Sequence, residues 1–337
     1  MILTQMVDEL RRSPQIYHPS QFWQQLNSAH LQQLNTAGLD NFKRSINSKY
    51  FSWGTLGIIR HQLQPVISAL MVGNFSPLQS QFKNYHLPEL NRVRNFNFLS
   101  ALIYRIYVAA LADYIRPQDK LRLLDRLKEP IVGNPFIIRY RNRSISQDLC
   151  NSIHEFYSAT SQIDLDRAIH LADLGAGYGR FGYVFLKALP QSSYCIIDIP
   201  PALFISQEYL ARVFPQEQIF KFKPFRKFYQ VKKEFEAARI KFLLPHQIEL
   251  LPPKYFNLFI NISSLHEMTK LQISHYLQQI DRLCRGYFYF KQWRQSRVPD
   301  NSFIRENDYP IPKRWTTVFH HRHPIQAMFF EALYRIN

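Results

Sequence analysis

The chain has 337 residues, 46% of them hydrophobic and 15% aromatic, with a mean hydropathy of −0.27. That is ample apolar surface for a buried core and more length than one average domain, so a largely disordered chain is excluded and two domains are expected. The formal charge of +17 is evenly spread, with 18 basic against 10 acidic residues in 1–160 and 24 against 15 in the remainder, which excludes a dedicated basic tail.

The chain begins MILTQMVDELRRSPQIY, where Asp8, Glu9, Arg11 and Arg12 break the apolar run and speak against a signal peptide. SQFWQQLNSAHLQQLN (20–35) opens on a Ser cap and repeats at three and four, the spacing of a helix. FLSALIYRIYVAALADYI (98–115) is the most membrane-like stretch, but it carries Arg105 and Asp113 and reads as a buried core helix. RPQDKLRLLDRLKEP (116–130) reads as a further helix stopped by Pro130. The cysteines Cys150, Cys195 and Cys284 share no metal or redox spacing. These features predict a reduced, cytoplasmic protein without a transmembrane segment.

The texture then changes. GNPFIIRYRNRSIS (133–146) suggests a strand, a turn and a second extended piece, and SQDLCNSIHEFYSA (146–159) a helix capped by Ser146. From residue 169 strands alternate with helices: strands over 169–175, 194–200, 240–244, 255–263 and 286–293, helices over 180–190, 202–214 and 269–284. Such alternation predicts an α/β, doubly wound, mostly parallel sheet. WTTVFHHRHP (315–324) and MFFEALYRI (328–336) suggest a closing pair of edge strands. Three parts are expected: a helical domain over 1–130, a connecting hairpin and helix over 131–168, and a sheet domain over 169–337.

The informative stretch is LADLGAGYGRFG (171–182), which holds four of the ten glycines: Gly175, Gly177, Gly179 and Gly182. Glycine gathers where φ must be positive or where a ligand touches backbone. A strand, a glycine turn and a helix present bare N–H groups at a helix N-terminus, which suits a nucleotide-like ligand. Two registers compete. GYGRFG fits the G-x-G-x-x-G dinucleotide fingerprint, with Asp198 lying 21 residues beyond Gly177. DLGAGYG fits the acidic-x-G-x-G-x-G loop of S-adenosylmethionine (SAM) methyltransferases. Asp173, two residues before Gly175, favours the second, because a carboxylate there repels a pyrophosphate and suits the ammonium of a methionine. A glycine turn that only packs helix on strand would leave Asp173 and Asp198 without a task.

With Asp173 to Gly179 and Asp198 in place, the chain resembles class I SAM-dependent methyltransferases, and more narrowly a bacterial sugar O-methyltransferase family. GNPFIIRY, SISQDLCNSIHEFYS, LADLGAGYGRFGYVFLKALP, IIDIPPALFISQEYL, FINISSLHEM, GYFYFKQW and YPIPKRW carry the likeness, over residues 131–316. The resemblance implies a Rossmann-like sheet with a closing antiparallel edge behind an all-helical N-terminal region. It implies SAM as cofactor, held by Asp173, Gly175, Ala176, Gly177, Tyr178, Gly179, Asp198, Ile199 and Asn261. Where many class I enzymes place an acidic residue for the adenine amino group, this chain reads LLPHQIELL, so Gln247 is the nearest candidate.

Methyl transfer to a hydroxyl needs an aligned acceptor and a group to take its proton. NISSLHEM (261–268), at the end of the fourth strand, offers His266 and Glu267 for that chemistry, with Ser264 beside them. The plainer alternative makes these a helix cap and a polar first turn. Ser264, His154, Lys291, Trp293, Tyr309 and Trp315 are candidates for holding the sugar, Lys291 suiting an acidic or phosphorylated one. FHHRHP (319–324) could place His321 and His323 on one strand face, but no carboxylate or cysteine lies near in sequence, and no metal is expected. KFKPFRKFYQVKKEFEAARIK (221–241) holds eight basic and two acidic residues and reads as the solvated face of an amphipathic helix, with an anionic polymer or membrane surface as the alternative. No recognised nucleic-acid motif appears, against an RNA methyltransferase. A nicotinamide-dependent sugar oxidoreductase needs the other glycine register. A non-catalytic scaffold, the third rival, would not need the intact cofactor residues. The helical N-terminal region is expected to cover the acceptor site or to form a homo-oligomer contact.

Overall fold

The computed structural model describes residues 2–45, 66, 98–299 and 302–336. Its N-terminal part is helical: α1 (Ile2–Arg12), α2 (Gln21–Ala37) and α3 (Phe98–Ile115) precede a short hairpin, β1 (Ile138–Tyr140) with β2 (Arg143–Ile145), and the buried helix α4 (Gln147–Thr160). Ser20 and Ser146 cap α2 and α4 through their hydroxyls, as their positions in sequence predict. In α3, Tyr107, Val108, Leu111 and Ala112 are fully buried. No helix among the described residues is long and apolar enough to cross a membrane.

The alternation follows as β3 (His170–Leu174), α5 (Arg180–Ala188), β4 (Ser193–Ile197), α6 (Ala202–Val213), β5 (Ile219–Phe220), α7 (Lys232–Ala237), β6 (Ile240–Leu243), β7 (Phe256–Ile262), α8 (Lys270–Leu283) and β8 (Cys284–Trp293). A hairpin of β9 (Gln295–Arg297) and β10 (Phe303–Arg305) leads to β11 (Thr316–Arg322) and β12 (Phe329–Arg335). The eight-stranded sheet has the order β11-β12-β8-β7-β3-β4-β6-β5. It is parallel from β5 to β8, and β12 inserts antiparallel between β8 and β11. This is the Rossmann-like sheet with an antiparallel edge that the strand pattern predicts.

The central strands are covered on both faces, so they are apolar almost throughout rather than alternating. Leu171, Ala172 and Leu174 of β3 and Ile196 and Ile197 of β4 are all buried. The chain leaves β3 toward β4 on one side and comes back as β7 on the other. A crevice therefore opens at the carboxyl end of β3, where ligands of open α/β sheets sit.

The first residues dock over the same edge. Tyr17, 1% exposed, donates its hydroxyl to Glu249 Oε1 at 2.6 Å and lies 2.7 Å from His275 Nε2. Arg226 forks onto the buried Glu9 of α1 at 3.0 and 3.3 Å.

Two expectations are corrected. Residues 116–130 do not form one helix: a 3-10 turn at Arg116–Gln118 and a single helical turn at Leu123–Arg126 are separated by Arg122 at φ +53°. Asp119 terminates the first piece and starts the second, its carboxylate accepting from the N–H of Leu123 at 2.7 Å and Leu124 at 2.8 Å. The basic stretch 221–241 is helical only in a 3-10 turn at Phe228–Gln230 and at α7. Phe222, Phe225 and Phe235 are buried beneath it, and Lys241 is itself 2% exposed. Aromatic anchors, not a helical repeat, set its course.

Candidate functional site

The crevice is built from the glycine loop between β3 and α5. Gly175, Gly177 and Gly179 all have positive φ, at +71°, +60° and +83°. A side chain at Gly175 would place its Cβ 2.2 Å from Ser264 Oγ, so only glycine lets the loop cross the end of β7. Gly175 N–H donates to the carbonyl of Ile197, tying the loop to β4.

Asp198, just past β4, closes the loop from the other side. Its carboxylate accepts from the N–H of Gly177 at 2.9 Å and of Ile199 at 2.7 Å, and burial pushes its pKa up to about 7. Asp173 lies beneath the loop, 2% exposed. One of its oxygens accepts from the Tyr194 hydroxyl, while Oδ1 is buried with no partner among the described residues. Burial lifts this carboxyl to about 7 as well. Asp173 is thus a buried carboxylate beneath the glycine loop with one oxygen unsatisfied among the described residues.

Asp173 also carries a stability prediction. Its folded pKa stands above its unfolded one, so its contribution is fully present below about pH 4 and is lost as pH rises through 7. Asp173→Asn is expected to raise the thermal midpoint of the ligand-free protein at pH 8 by about 3–8 °C, the shift that about 1–2 kcal/mol produces. It should change little at pH 4. Thermal unfolding at the two pH values checks this, and an equal shift at both would refute it.

Tyr178 supplies backbone to the loop, while its ring is buried and its hydroxyl donates to Asp148 Oδ2 of α4 at 2.7 Å. Ala176 and Ile199 are partly buried beside it. Asn261, fully buried at the end of β7, donates from Nδ2 to the carbonyl of Leu174 at 2.7 Å and to Ser264 Oγ at 2.6 Å. Ser264 also donates to Leu174 O at 3.2 Å, so it struts the cofactor loop rather than facing an acceptor. Gln247 sits where the adenine contact is expected, but its amide is spent on backbone: Oε1 accepts from Leu244 N–H and Nε2 donates to Lys223 O, each at 2.9 Å. Its neighbour His246, which sequence reasoning passed over, has Nδ1 buried without a partner among the described residues.

On the acceptor side, the turn after β7 buries His266 to 4% exposure and stacks its ring on Trp293, centroids 5.4 Å apart and planes 24° apart. Burial lowers the pKa of His266 to about 4, so the ring is neutral at physiological pH. Its Nε2 lies 3.6 Å from Glu267 Oε1, and its Nδ1 lies 2.9 Å from Gln292 Oε1. Tyr309 packs edge-on against Phe290 at 4.7 Å, with its hydroxyl buried and unpartnered among the described residues. Burial, with smaller contributions from Asp308 and Glu267, pushes the pKa of that phenol up. The β9–β10 hairpin lies alongside, Ser296 Oγ donating to the carbonyl of His266 at 3.2 Å. No strand was expected at β9 or β10.

Three expected acceptor contacts lie elsewhere. Lys291 is 2% exposed and points under α4, where its ammonium holds Glu155 Oε1 at 2.8 Å. Arg180 grips the same carboxylate with two nitrogens at 2.5 and 2.9 Å, and also donates to Ser152 at 2.8 Å. Together the two cations hold Glu155 down to about 2 against its burial. Trp315 is a core residue whose Nε1 donates to Asp281 of α8 at 2.8 Å. His154 is buried against Tyr114 and His323 rather than at the crevice.

His321 and His323 do not share an exposed face: His321 is exposed and His323 is 1% exposed. His323 instead meets His154 and Glu331, with one donor atom from each within 4.8 Å of the others. His323 Nδ1 accepts the Gln326 N–H at 3.0 Å, which leaves its ring proton on Nε2. Burial, and secondarily the Lys291 ammonium, lowers the pKa of both rings. Nδ1 of His154 and Nε2 of His323 are both buried without a hydrogen-bond partner among the described residues.

No family model and no curated protein matches the sequence. Solved structures do resemble the chain. The PH0226 protein from Pyrococcus horikoshii is 13% identical, over 57% of this chain and 92% of that one, with a TM-score of 0.39. A SAM-dependent methyltransferase from Aquifex aeolicus is 12% identical over 53% and 88%, at 0.34. The 1,6-didemethyltoxoflavin-N1-methyltransferase of Burkholderia thailandensis, solved with S-adenosylhomocysteine, is 13% identical over 68% and 88%, at 0.38.

Proposed function

We propose that this chain is a SAM-dependent O-methyltransferase that methylates a hydroxyl of a sugar. The observation that carries the cofactor reading is Asp173, a buried carboxylate with an unfilled oxygen under the glycine loop. A pyrophosphate in that place would meet a negative charge, whereas a methionine ammonium would be matched by it. Asp198, already anchored by the Gly177 amide of the loop and by the amide of its neighbour Ile199, is then set to accept from the ribose hydroxyls. Bound there, SAM supplies an electrophilic methyl group on its sulfonium.

The residues of the chain do the rest. Trp293 offers an aromatic face to a sugar ring, whereas Tyr309, 6% exposed between Phe290 and Phe330, is a core residue. His266, neutral and desolvated, would take the proton of the acceptor hydroxyl at Nε2. Positive charge thereby moves onto the imidazole, where the Glu267 carboxylate at 3.6 Å stabilises it. The sugar assignment is supported by the aromatic face of Trp293 and by the stretches that resemble the sugar O-methyltransferases.

Calorimetric titration with S-adenosylhomocysteine, SAM and NADH tests the cofactor. The first two are expected to bind in the micromolar range, and Asp198→Ala to weaken them about 100-fold or more, as two lost charged hydrogen bonds require. Binding of NADH alone would make the protein an oxidoreductase instead. Labelled SAM with neutral and acidic nucleotide sugars then tests the acceptor, and transfer only to non-sugar hydroxyls would overturn the sugar reading.

A further inference from the structure

We infer that Gln292 is the positioning residue of the acceptor site: it holds His266 as the Nδ1–H tautomer and so leaves Nε2 bare to receive a proton. This rests on the proposed role of His266 as base, and sequence reasoning did not single out Gln292.

The argument turns on which end of each buried amide is oxygen, and backbone groups decide that at both ends of a chain of contacts. At one end, the carbonyl of Leu174 can only accept, so the atom of Asn261 that faces it at 2.7 Å is nitrogen. The other amide atom of Asn261 is therefore oxygen, and it accepts the Leu265 N–H at 3.2 Å. Gln292, fully buried on β8, must then turn nitrogen toward Asn261, where it lies 2.5 Å from Oδ1 and 3.3 Å from the backbone carbonyl. Its oxygen consequently faces the turn, where it accepts the backbone N–H of His266 at 3.1 Å. That same oxygen lies 2.9 Å from His266 Nδ1.

An amide oxygen cannot donate. Nδ1 must carry the ring proton, since otherwise two lone pairs would oppose each other between two buried side chains. The neutral ring has one proton, so Nε2 has none, and Nε2 is the atom beside Glu267. The chain of contacts starts at Leu174, the residue immediately before Gly175. The proton acceptor is thus registered against the cofactor loop through two rigid side chains rather than through the mobile part of a loop.

Long-range nitrogen–proton NMR on protein with labelled histidine reads the tautomer directly, with the His266 signal identified by its loss in His266→Gln. Wild type is expected to show His266 protonated at Nδ1 alone at pH 7, with or without S-adenosylhomocysteine. Gln292→Met, which cannot accept from Nδ1–H, is expected to release the ring to the Nε2–H form. Gln292→Glu, which keeps the acceptor and adds charge, is expected to retain Nδ1–H and to move the His266 titration upward by about one pH unit or more. A wild-type ring protonated at Nε2, or a folded Gln292→Met protein with the pattern unchanged, would overturn the inference. Should Gln292→Met not fold, the wild-type pattern and the Gln292→Glu titration still decide. If the tautomer is as expected but neither SAM nor S-adenosylhomocysteine binds, the methyltransferase reading fails and the assignment of Gln292 to the tautomer stands.

Discussion

Gly175→Ala is expected to abolish measurable S-adenosylhomocysteine binding and to cost about 3–4 kcal/mol of stability. Two costs add. The backbone at Gly175 has φ +71°, where a side chain costs about 1–2 kcal/mol. The new Cβ would also fall 2.2 Å from Ser264 Oγ and 2.5 Å from Ser264 Cβ. Ser264 would have to leave Asn261 Nδ2 and Leu174 O, two hydrogen bonds worth about 1 kcal/mol each. The steric half is separable. Adding Ser264→Gly makes room, so the double variant should be less destabilised than the two single effects summed, by about 1 kcal/mol or more. Denaturant unfolding of the four proteins measures that coupling. Simple additivity would mean that the overlap with Ser264 is not what demands glycine.

The second large effect is expected at a residue that touches neither ligand. Glu155 is 1% exposed and is the common anion of Arg180 and Lys291. Glu155→Gln leaves the Lys291 ammonium, itself 2% exposed, with no carboxylate partner. Removing one member of such a buried group costs about 3–5 kcal/mol, which lowers the thermal midpoint by about 6–20 °C in a chain of this size. The pH dependence has a definite sign. Glu155 is held at about 2 when folded, below the value of 4.5 that it has free of the fold, so its contribution is present above 4.5 and fades as pH falls toward 2. The gap between wild type and Glu155→Gln should therefore be widest near pH 6–7 and narrow below about pH 4. Added salt should change it little, because the pair is shielded from solvent ions. A loss under about 1 kcal/mol at neutral pH would show that the three groups are not energetically coupled.

These two sites mark what local sequence can and cannot decide. The glycine loop was legible because its requirements are local: a strand ends, φ turns positive and a helix begins within a few residues, and only glycine allows that. The parallel sheet was legible for a similar reason, since strands buried on both faces read as short apolar runs between helices. Asp173 and Asp198 followed from their positions at the ends of β3 and β4.

The roles along β8 were not legible. Lys291 and Gln292 are neighbours and point to opposite faces of the sheet, and which face meets α4 and which meets the acceptor turn depends on where distant helices pack. Sequence order favours Lys291 as the more conspicuous residue, yet the pleat sends it to Glu155 and sends Gln292 to His266. Trp315 is conspicuous too, but its indole is fixed by Asp281 on a helix 34 positions earlier. The meeting of His154, His323 and Glu331 brings together α4, the turn after β11 and β12, a closure that no spacing rule anticipates. The sequence by itself therefore determined the parallel sheet, the glycine loop and its two acidic neighbours. The tertiary structure alone decided which polar side chains face the reaction and which are consumed in holding the helices to the sheet, because that choice depends on the partner each face acquires on folding.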